Sequence, residues 1–310
     1  MAQEPKADGV NDAAMTINHS LTEEMFDLLV TRPLAGRVVQ VLIPTPVSAN
    51  QVTAMGAVLG ILAGILIAQG TAAAAGWAAA GLLACMVLDC ADGQLARARG
   101  GGSHFGRLLD GASDYAVAIA LHLGMWTQLA NEGVLFRNHT LDGWGLFAWI
   151  LLAGFSMILH AGIFDYRKQW FLAHLRTEQS SHNSLDELKQ EVKEFDNLFV
   201  KTFLAIYVFY CRFQKNLDKE ATAETSPELL DNADRIRFQR SCEGFLRAAS
   251  FLGPTSHNVL ILLAIVASPF FPQAFWWYIL TAVVPMNLLF MTVVLWGRRL
   301  DRTFDQTKAA

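Results

Sequence analysis

The chain has 310 residues, 53% hydrophobic and 17% charged, with a formal net charge of −4. A soluble domain carries about 25% charged residues, so this composition, gathered into long apolar runs, excludes a large soluble core and indicates a polytopic membrane protein. No basic stripe interleaved with aromatics is present, which sets nucleic-acid binding aside.

Residues 1–24 read as a polar tail of mixed charge, with no apolar core of a secretory leader. Met25–Ile43 has apolar residues at helical spacing, interrupted by Arg32, Pro33 and Arg37. That pattern is too broken to span a bilayer and suits an amphipathic helix lying in the interface. Pro44 and Pro46 turn the chain, and Ser48 or Asn50 can cap the helix that follows. Six spans are expected, at about 50–69, 73–97, 106–130, 144–166, 254–271 and 275–297. Gly and Ala crowd the first two, which lets helices approach closely in lipid.

Threading six spans from a cytoplasmic N-terminus puts only Arg137 of the 24 basic residues in an outer loop. Lys and Arg favour the cytoplasmic side, so both termini are expected there. Segment 167–247 holds 13 of the 24 and reads as a cytoplasmic helical insertion. Within it, Glu178–Asp196 is charged and helix-prone, Leu198–Phe213 is apolar but too short to span, and Pro227–Arg247 is a helix leading into the fifth span. The expected organisation is therefore a tail (1–24), an interfacial helix with spans one to four (25–166), the insertion (167–247), and spans five and six with a cytoplasmic tail (248–310). The fold class is all-α and integral to the membrane. Cys85, Cys90, Cys211 and Cys242 show no CxxC spacing and read as packing residues.

The chemistry lies where the second span ends and the third begins. Asp89, Asp92, Gly93, Ala96 and Arg97 fall on one helical face, and Gly106, Asp110 and Asp114 recur every four residues on another. Gly100, Gly101 and Gly102 form the turn between them. Two antiparallel helices thus present four carboxylates to each other at the cytoplasmic edge. One ionisable group at membrane depth costs at least ~2.5 kcal/mol, and four repel, so a cation or protons must neutralise the cluster. All-oxygen ligands favour Mg²⁺, Mn²⁺ or Ca²⁺ over zinc. Gly93 and Ala96 leave room for a ligand, and Arg97 offers a fork of donors suited to phosphate. A lone Asp at a helix end is ordinarily solvated or a cap; four at these spacings are not accounted for in that way.

The run Asp89-x2-Asp92-Gly93-x2-Ala96-Arg97-x8-Gly106-x3-Asp110-x3-Asp114 resembles the signature of the CDP-alcohol phosphotransferases. Ala49-Asn50-Gln51-Val52-Thr53 resembles the PNxxT element of that family, with alanine in place of proline. The resemblance implies transfer of a phospho-substituted group from a CDP-linked donor to an alcohol, with release of CMP. It implies that Asp89, Asp92 and Asp110 hold Mg²⁺ or Mn²⁺, and that Asp114 shares the metal and acts as general base. It further implies that Gly93, Arg97 and Ser103 contact the CDP moiety, that Asn50 to Thr53 close over it, and that the protein is a homodimer. The six-span plan resembles prokaryotic phosphatidyltransferases, which favours a CDP-lipid donor, CDP-diacylglycerol, in a bacterial or archaeal cytoplasmic membrane. Two alternatives are a CDP-linked head group passed to a lipid alcohol and, from another class, a cation transporter. Transport has no need of the Gly93–Ala96–Arg97 face.

Residues that could greet a phosphorylated acceptor are His160, Asp165, Arg167 and Lys168 near the end of the fourth span, and Arg240 and Arg247 before the fifth. Ordinary interfacial anchoring is the preferred account of them. His257 and Asn287 suit interhelical hydrogen bonds, and Trp276, Trp277 and Tyr278 suit an outer aromatic belt.

Overall fold

The computed structural model describes residues 19–101, 104–136, 139–141, 143–175 and 232–309. The polar tail up to residue 18, Ser103, and the expected helices Glu178–Asp196 and Leu198–Phe213 lie outside the described residues. A 3₁₀ turn (His19–Thr22) and a π turn (Asp27–Thr31) lead into α1 (Arg32–Leu42). Pro33 does not break this helix, because it falls in the first turn, where its missing N–H has no intrahelical partner to lose. Ala35 and Val39 face inward from α1, against Val52, Ala91 and Leu95.

Ser48 opens α2 (Ala49–Ile67). Its hydroxyl accepts from the Gln51 N–H (3.2 Å), and the Gln51 side chain accepts from the Ser48 N–H (2.9 Å). Then come α3 (Ala72–Ala98), α4 (His104–Glu132), a two-stranded hairpin of β1 (Val134–Phe136) and β2 (His139–Leu141), and α5 (Gly143–Leu175). The strands pair antiparallel with Val134 opposite Leu141. They are the one departure from an all-α chain among the described residues. The last four helices are α6 (Asn232–Ser250), α7 (Pro254–Ala267), α8 (Ala274–Val283) and α9 (Pro285–Ala309).

Among the described residues, five helical segments are long and apolar enough to cross a membrane: Ala49–Ile67, Ala72–Ala98, Gly143–Leu172, Asp234–Ala267 and Ala274–Thr303. The fold is mostly helical and consistent with a membrane protein. α4, the expected third span, is not among the five, because Asp110, Asp114, His122 and Gln128 dilute its apolar run. The expected fifth span is joined end to end with α6 through the turn at Phe251–Gly253. The expected sixth is split at Val284, because Pro285 has no N–H to continue the ladder. The Asn287 amide reaches back to the carbonyls of Ala282 (3.2 Å) and Val283 (2.9 Å) beside that break.

Packing in α2 is inverted relative to a soluble helix. Gly56, Gly60, Ala63 and Gly64 face the interior, while Met55, Val58, Leu62 and Ile65 face outward. Small residues inside let α3 and α4 lie flush against α2. A second cluster forms where α5, α6 and α9 meet, around Phe171, Phe245, Leu246 and Val293.

Glu24 ties the N-terminal segment to α7. Its buried carboxyl accepts from the Thr255 N–H (3.0 Å), the Ser256 N–H (2.6 Å) and the Ser256 hydroxyl (2.7 Å), capping the helix start. Gly253 must be small there, since a Cβ would overlap the Glu24 carboxyl. Burial pushes the Glu24 carboxyl up to about 7; the Ser256 hydrogen bond opposes this and the Asp27 charge adds to it. The folded state therefore holds a proton that the unfolded chain has already released. The resulting stabilisation is full below the ordinary carboxyl range and is lost as pH rises through about 7. We expect thermal stability in detergent to fall between about pH 5 and about pH 8, and Glu24→Gln to flatten that slope. An unchanged slope in Glu24→Gln would assign the pH dependence to other groups.

Candidate functional site

The C-terminal half of α3 carries Asp89 and Asp92, and the N-terminal half of α4 carries Asp110 and Asp114. The chain reverses at Gly100 (φ +97°) and Gly101 (φ +123°), values a side chain resists. The Gly101 N–H donates to the Ala96 carbonyl (2.9 Å) and the Gly100 N–H to that of Arg97 (3.2 Å). This is the Schellman pairing that satisfies the last carbonyls of a helix.

Across this turn, oxygens of Asp89, Asp92 and Asp110 all lie within 4.8 Å of one another. Asp89 and Asp110 share a hydrogen bond between their side chains. Asp92 is buried, Asp110 is half-buried, and Asp89 keeps an open face. Asp114 is outside that group of three, one turn along α4 from Asp110; it is also exposed and lies within electrostatic reach of the other three. Two oxygens across an octahedral Mg²⁺ are separated by about 4.2 Å, twice its ~2.1 Å bond. The spacing and the all-oxygen donor set therefore fit one hard divalent cation.

The Arg97 guanidinium folds back over Gly93, where a Cβ would stand 3.4 Å from its nearest nitrogen. Arg97 is exposed, and no carboxylate among the described residues forms a salt bridge with it. Ala96 and Gly106 are half-buried on the two motif helices. Asn50 lies at the start of α2, half-buried and one turn before Thr53. The Thr53 hydroxyl reaches across from α2 to Asp92 Oδ2. Thr53 therefore sits against a carboxylate of the cluster.

Residues 46–170 match the model of the CDP-alcohol phosphatidyltransferase family. Over that stretch the chain is similar to this family, whose members are phosphotransferase enzymes. No curated protein and no solved structure matches the chain. The matched stretch covers α2 to most of α5, with all four aspartates, and omits α1 and α6 to α9.

Around this matched core lie contacts that sequence reasoning did not find. Arg99, two residues past Arg97, donates to the carbonyls of Leu42 (2.9 Å), Thr45 (2.8 Å) and Val47, clasping the α1–α2 turn to the motif helix. Cys90 donates to Thr31 Oγ1 (3.4 Å), Thr31 donates to Asp27 (2.7 Å), and Thr255 donates to the same carboxylate (2.9 Å). Apart from the Thr31–Asp27 bond, which joins residues one helical turn apart, no local signal marks these contacts, since the partners are backbone atoms or residues dozens of positions away.

Three of the residues considered for an acceptor, Arg167, Arg247 and His160, are engaged within the fold. Arg167 is buried, paired with both oxygens of Asp301 at 2.9 Å, and set against Tyr166, Trp170 and Phe245. Gly297 leaves the space that this guanidinium fills. Arg247 donates to the Ser20 carbonyl (3.1 Å). His160 stacks on His257, with Nδ1 and Nε2 3.1 Å apart, and its Nε2 lies 3.4 Å from Asn287 Oδ1. One ordering leaves no N–H of the pair unpaired: His257 Nε2–H donates to His160, and His160 Nε2–H donates to Asn287. His257 and Asn287 thus make interhelical hydrogen bonds.

The seam beneath the carboxylates is tight. A Cβ at Gly60 would come within 2.6 Å and 2.7 Å of the two Val117 methyls and 2.9 Å of Cys85 Sγ. Val117 is β-branched and cannot swing aside. Gly60→Ala should cost about 1–3 kcal/mol as overpacking, read as a lower midpoint of thermal unfolding. Gly76→Ala meets nothing within 4 Å and should leave the midpoint unchanged or slightly higher. Equal midpoints for the two variants would contradict the close approach of α2 to its neighbours.

Proposed function

We propose that the protein transfers a phosphatidyl-type group from a CDP-lipid, CDP-diacylglycerol, to a small polar alcohol and releases CMP. The observation that carries this reading is the convergence of Asp89, Asp92 and Asp110 from two helices beside an exposed Arg97, which forms no salt bridge among the described residues. Asp89, Asp92 and Asp110, with Asp114 in reach, would hold Mg²⁺ or Mn²⁺. When bound, such an ion offsets charge on pyrophosphate oxygens and on the departing CMP.

The side chains then divide the work. Arg97 holds a phosphate oxygen of the donor through paired N–H groups, and Gly93 leaves the helix backbone open beside it. Asp114 takes the proton of the acceptor hydroxyl. The freed oxygen attacks the phosphorus attached to the lipid, and the bond from that phosphorus to CMP breaks. Ser103, Gly106, Ala96 and Asn50 line the donor side in this reading.

α4 serves as the third of six spans, in addition to the five apolar segments, with its polar His122 and Gln128 turned inward, where both are buried. The distribution of Lys and Arg supports a cytoplasmic location for both termini and the site. There, a nucleotide from the cytosol and a lipid from the bilayer can meet. The protein works as a homodimer in a bacterial or archaeal cytoplasmic membrane.

Two measurements test this reading. Purified protein given CDP-diacylglycerol and a panel of alcohols should release CMP, lose the activity in EDTA and regain it with Mg²⁺ or Mn²⁺. Full activity in metal-free buffer would refute the role given to the carboxylates. The second compares Asp114→Asn with Asp89→Asn. If Asp114 is the base, single-turnover rate should fall by about 10²–10⁴-fold while donor binding in Mg²⁺ changes little. Asp89→Asn should weaken metal and donor binding together. Near wild-type turnover by Asp114→Asn would remove it as the base.

A further inference from the structure

Thr53 lies on α2, away from both helices that carry the aspartates, yet its hydroxyl is hydrogen-bonded to Asp92 Oδ2. Both residues are buried, at 7% and 6% exposure. The contact exists because α2 presents a bare face to α3: a Cβ on Gly56, one turn after Thr53, would already stand 3.4 Å from Leu88 Cβ and 3.6 Å from the Cys85 carbonyl. At a wider helix spacing, a side chain as short as threonine would not reach. The same hydroxyl also lies 3.1 Å from the Ala49 carbonyl. It has one proton and two acceptors, and the carboxylate is the stronger acceptor because it is ionised.

A carboxylate that accepts from a fixed hydroxyl loses rotational freedom, and it presents its remaining lone pairs in one direction. Ligating carboxylates held in this way bind metal more tightly than free ones, and loss of an outer partner typically costs 10–100-fold in affinity. We propose that Thr53 is a positioning residue for the divalent-cation site: through Asp92 it sets the orientation of that carboxylate before any nucleotide arrives. This differs from contact with the CDP moiety, the role the family resemblance implies for Thr53, and it rests on the reading that the aspartates hold a metal.

The test uses Mn²⁺ alone, with no nucleotide present. Binding to purified full-length protein is followed by the electron paramagnetic resonance of free Mn²⁺. Thr53→Val, which keeps the shape and removes the hydroxyl, should raise the Mn²⁺ dissociation constant by about 10–100-fold. Thr53→Ser, which keeps the hydroxyl, should bind within about threefold of wild type; for a conserved hydrogen bond, little of that 10–100-fold loss should appear. A double-mutant cycle distinguishes positioning from general disruption. In an Asp92→Asn background, adding Thr53→Val should change Mn²⁺ binding no further. Thr53→Val binding Mn²⁺ like wild type would overturn the inference, leaving Thr53 to the nucleotide. A further loss in the Asp92→Asn background would overturn it too, since Thr53 would then act by another route. Failure of the wild-type protein to bind Mn²⁺ would instead overturn the metal reading itself, and this inference with it.

Discussion

The packing of the glycine face of α2 into α3 and α4 sets how near the two motif helices come to each other and to Thr53. Lipid tails are as apolar as leucine, so no hydrophobic drive pushes helices together within a bilayer. Close van der Waals contact and interhelical hydrogen bonds must do so instead. Gly56, Gly60 and Gly64 remove the side chains that would hold α3 and α4 away, and the large residues of α2 are turned outward. Gly124 of α4 meets Gly64 from the other side, backbone against backbone. The spacing of the carboxylates is a consequence of this seam.

Gathering acidic groups at such a seam is costly, because like charges in a medium of low dielectric repel strongly. The fold surrounds the cluster with contacts that prevent it from relaxing apart. Arg99 clasps the α1–α2 turn to the end of α3, and Cys90, Thr31, Asp27 and Thr255 form a chain of hydrogen bonds from the motif helix to the start of α7. The cluster is therefore braced from the N-terminal segment as well as from α2. A hard divalent cation is the natural counterweight to such a charge.

The other half of the bundle is joined by polar groups rather than by close backbones. The His160–His257 pair, Asn287 with Ser156 (2.9 Å), and Arg167 with Asp301 link α5, α7 and α9. Buried pairs of this kind are a poor source of net stability, because desolvation offsets much of their attraction. Removing either partner would leave an unpaired polar group, so they favour one register of the helices over its neighbours. Arg167 and Arg247 of this half are committed to the architecture, and the exposed guanidinium of Arg97 stays beside the aspartates.

Much of this was determined locally and could be read along the chain. Apolar runs mark helices, and a period of four places Gly106, Asp110 and Asp114 on one face. Three consecutive glycines mark the reversal between motif helices, and the Ser48–Gln51 spacing marks a helix start. The break at Pro285 was not read, because that proline lies within a continuous apolar run; beyond the first turn, proline removes a hydrogen bond and interrupts the helix. The hairpin at Val134–Leu141 was not read either, because its strands are only three residues each. Tertiary structure alone decided which distant groups meet: Thr53 with Asp92, Arg99 with the turn after α1, Glu24 with the start of α7, and Arg167 with Asp301. Periodicity fixes the face of a helix on which a residue lies, but not the neighbour that face receives. That depends on how closely and at what rotation the helices pack, which is a property of the whole bundle.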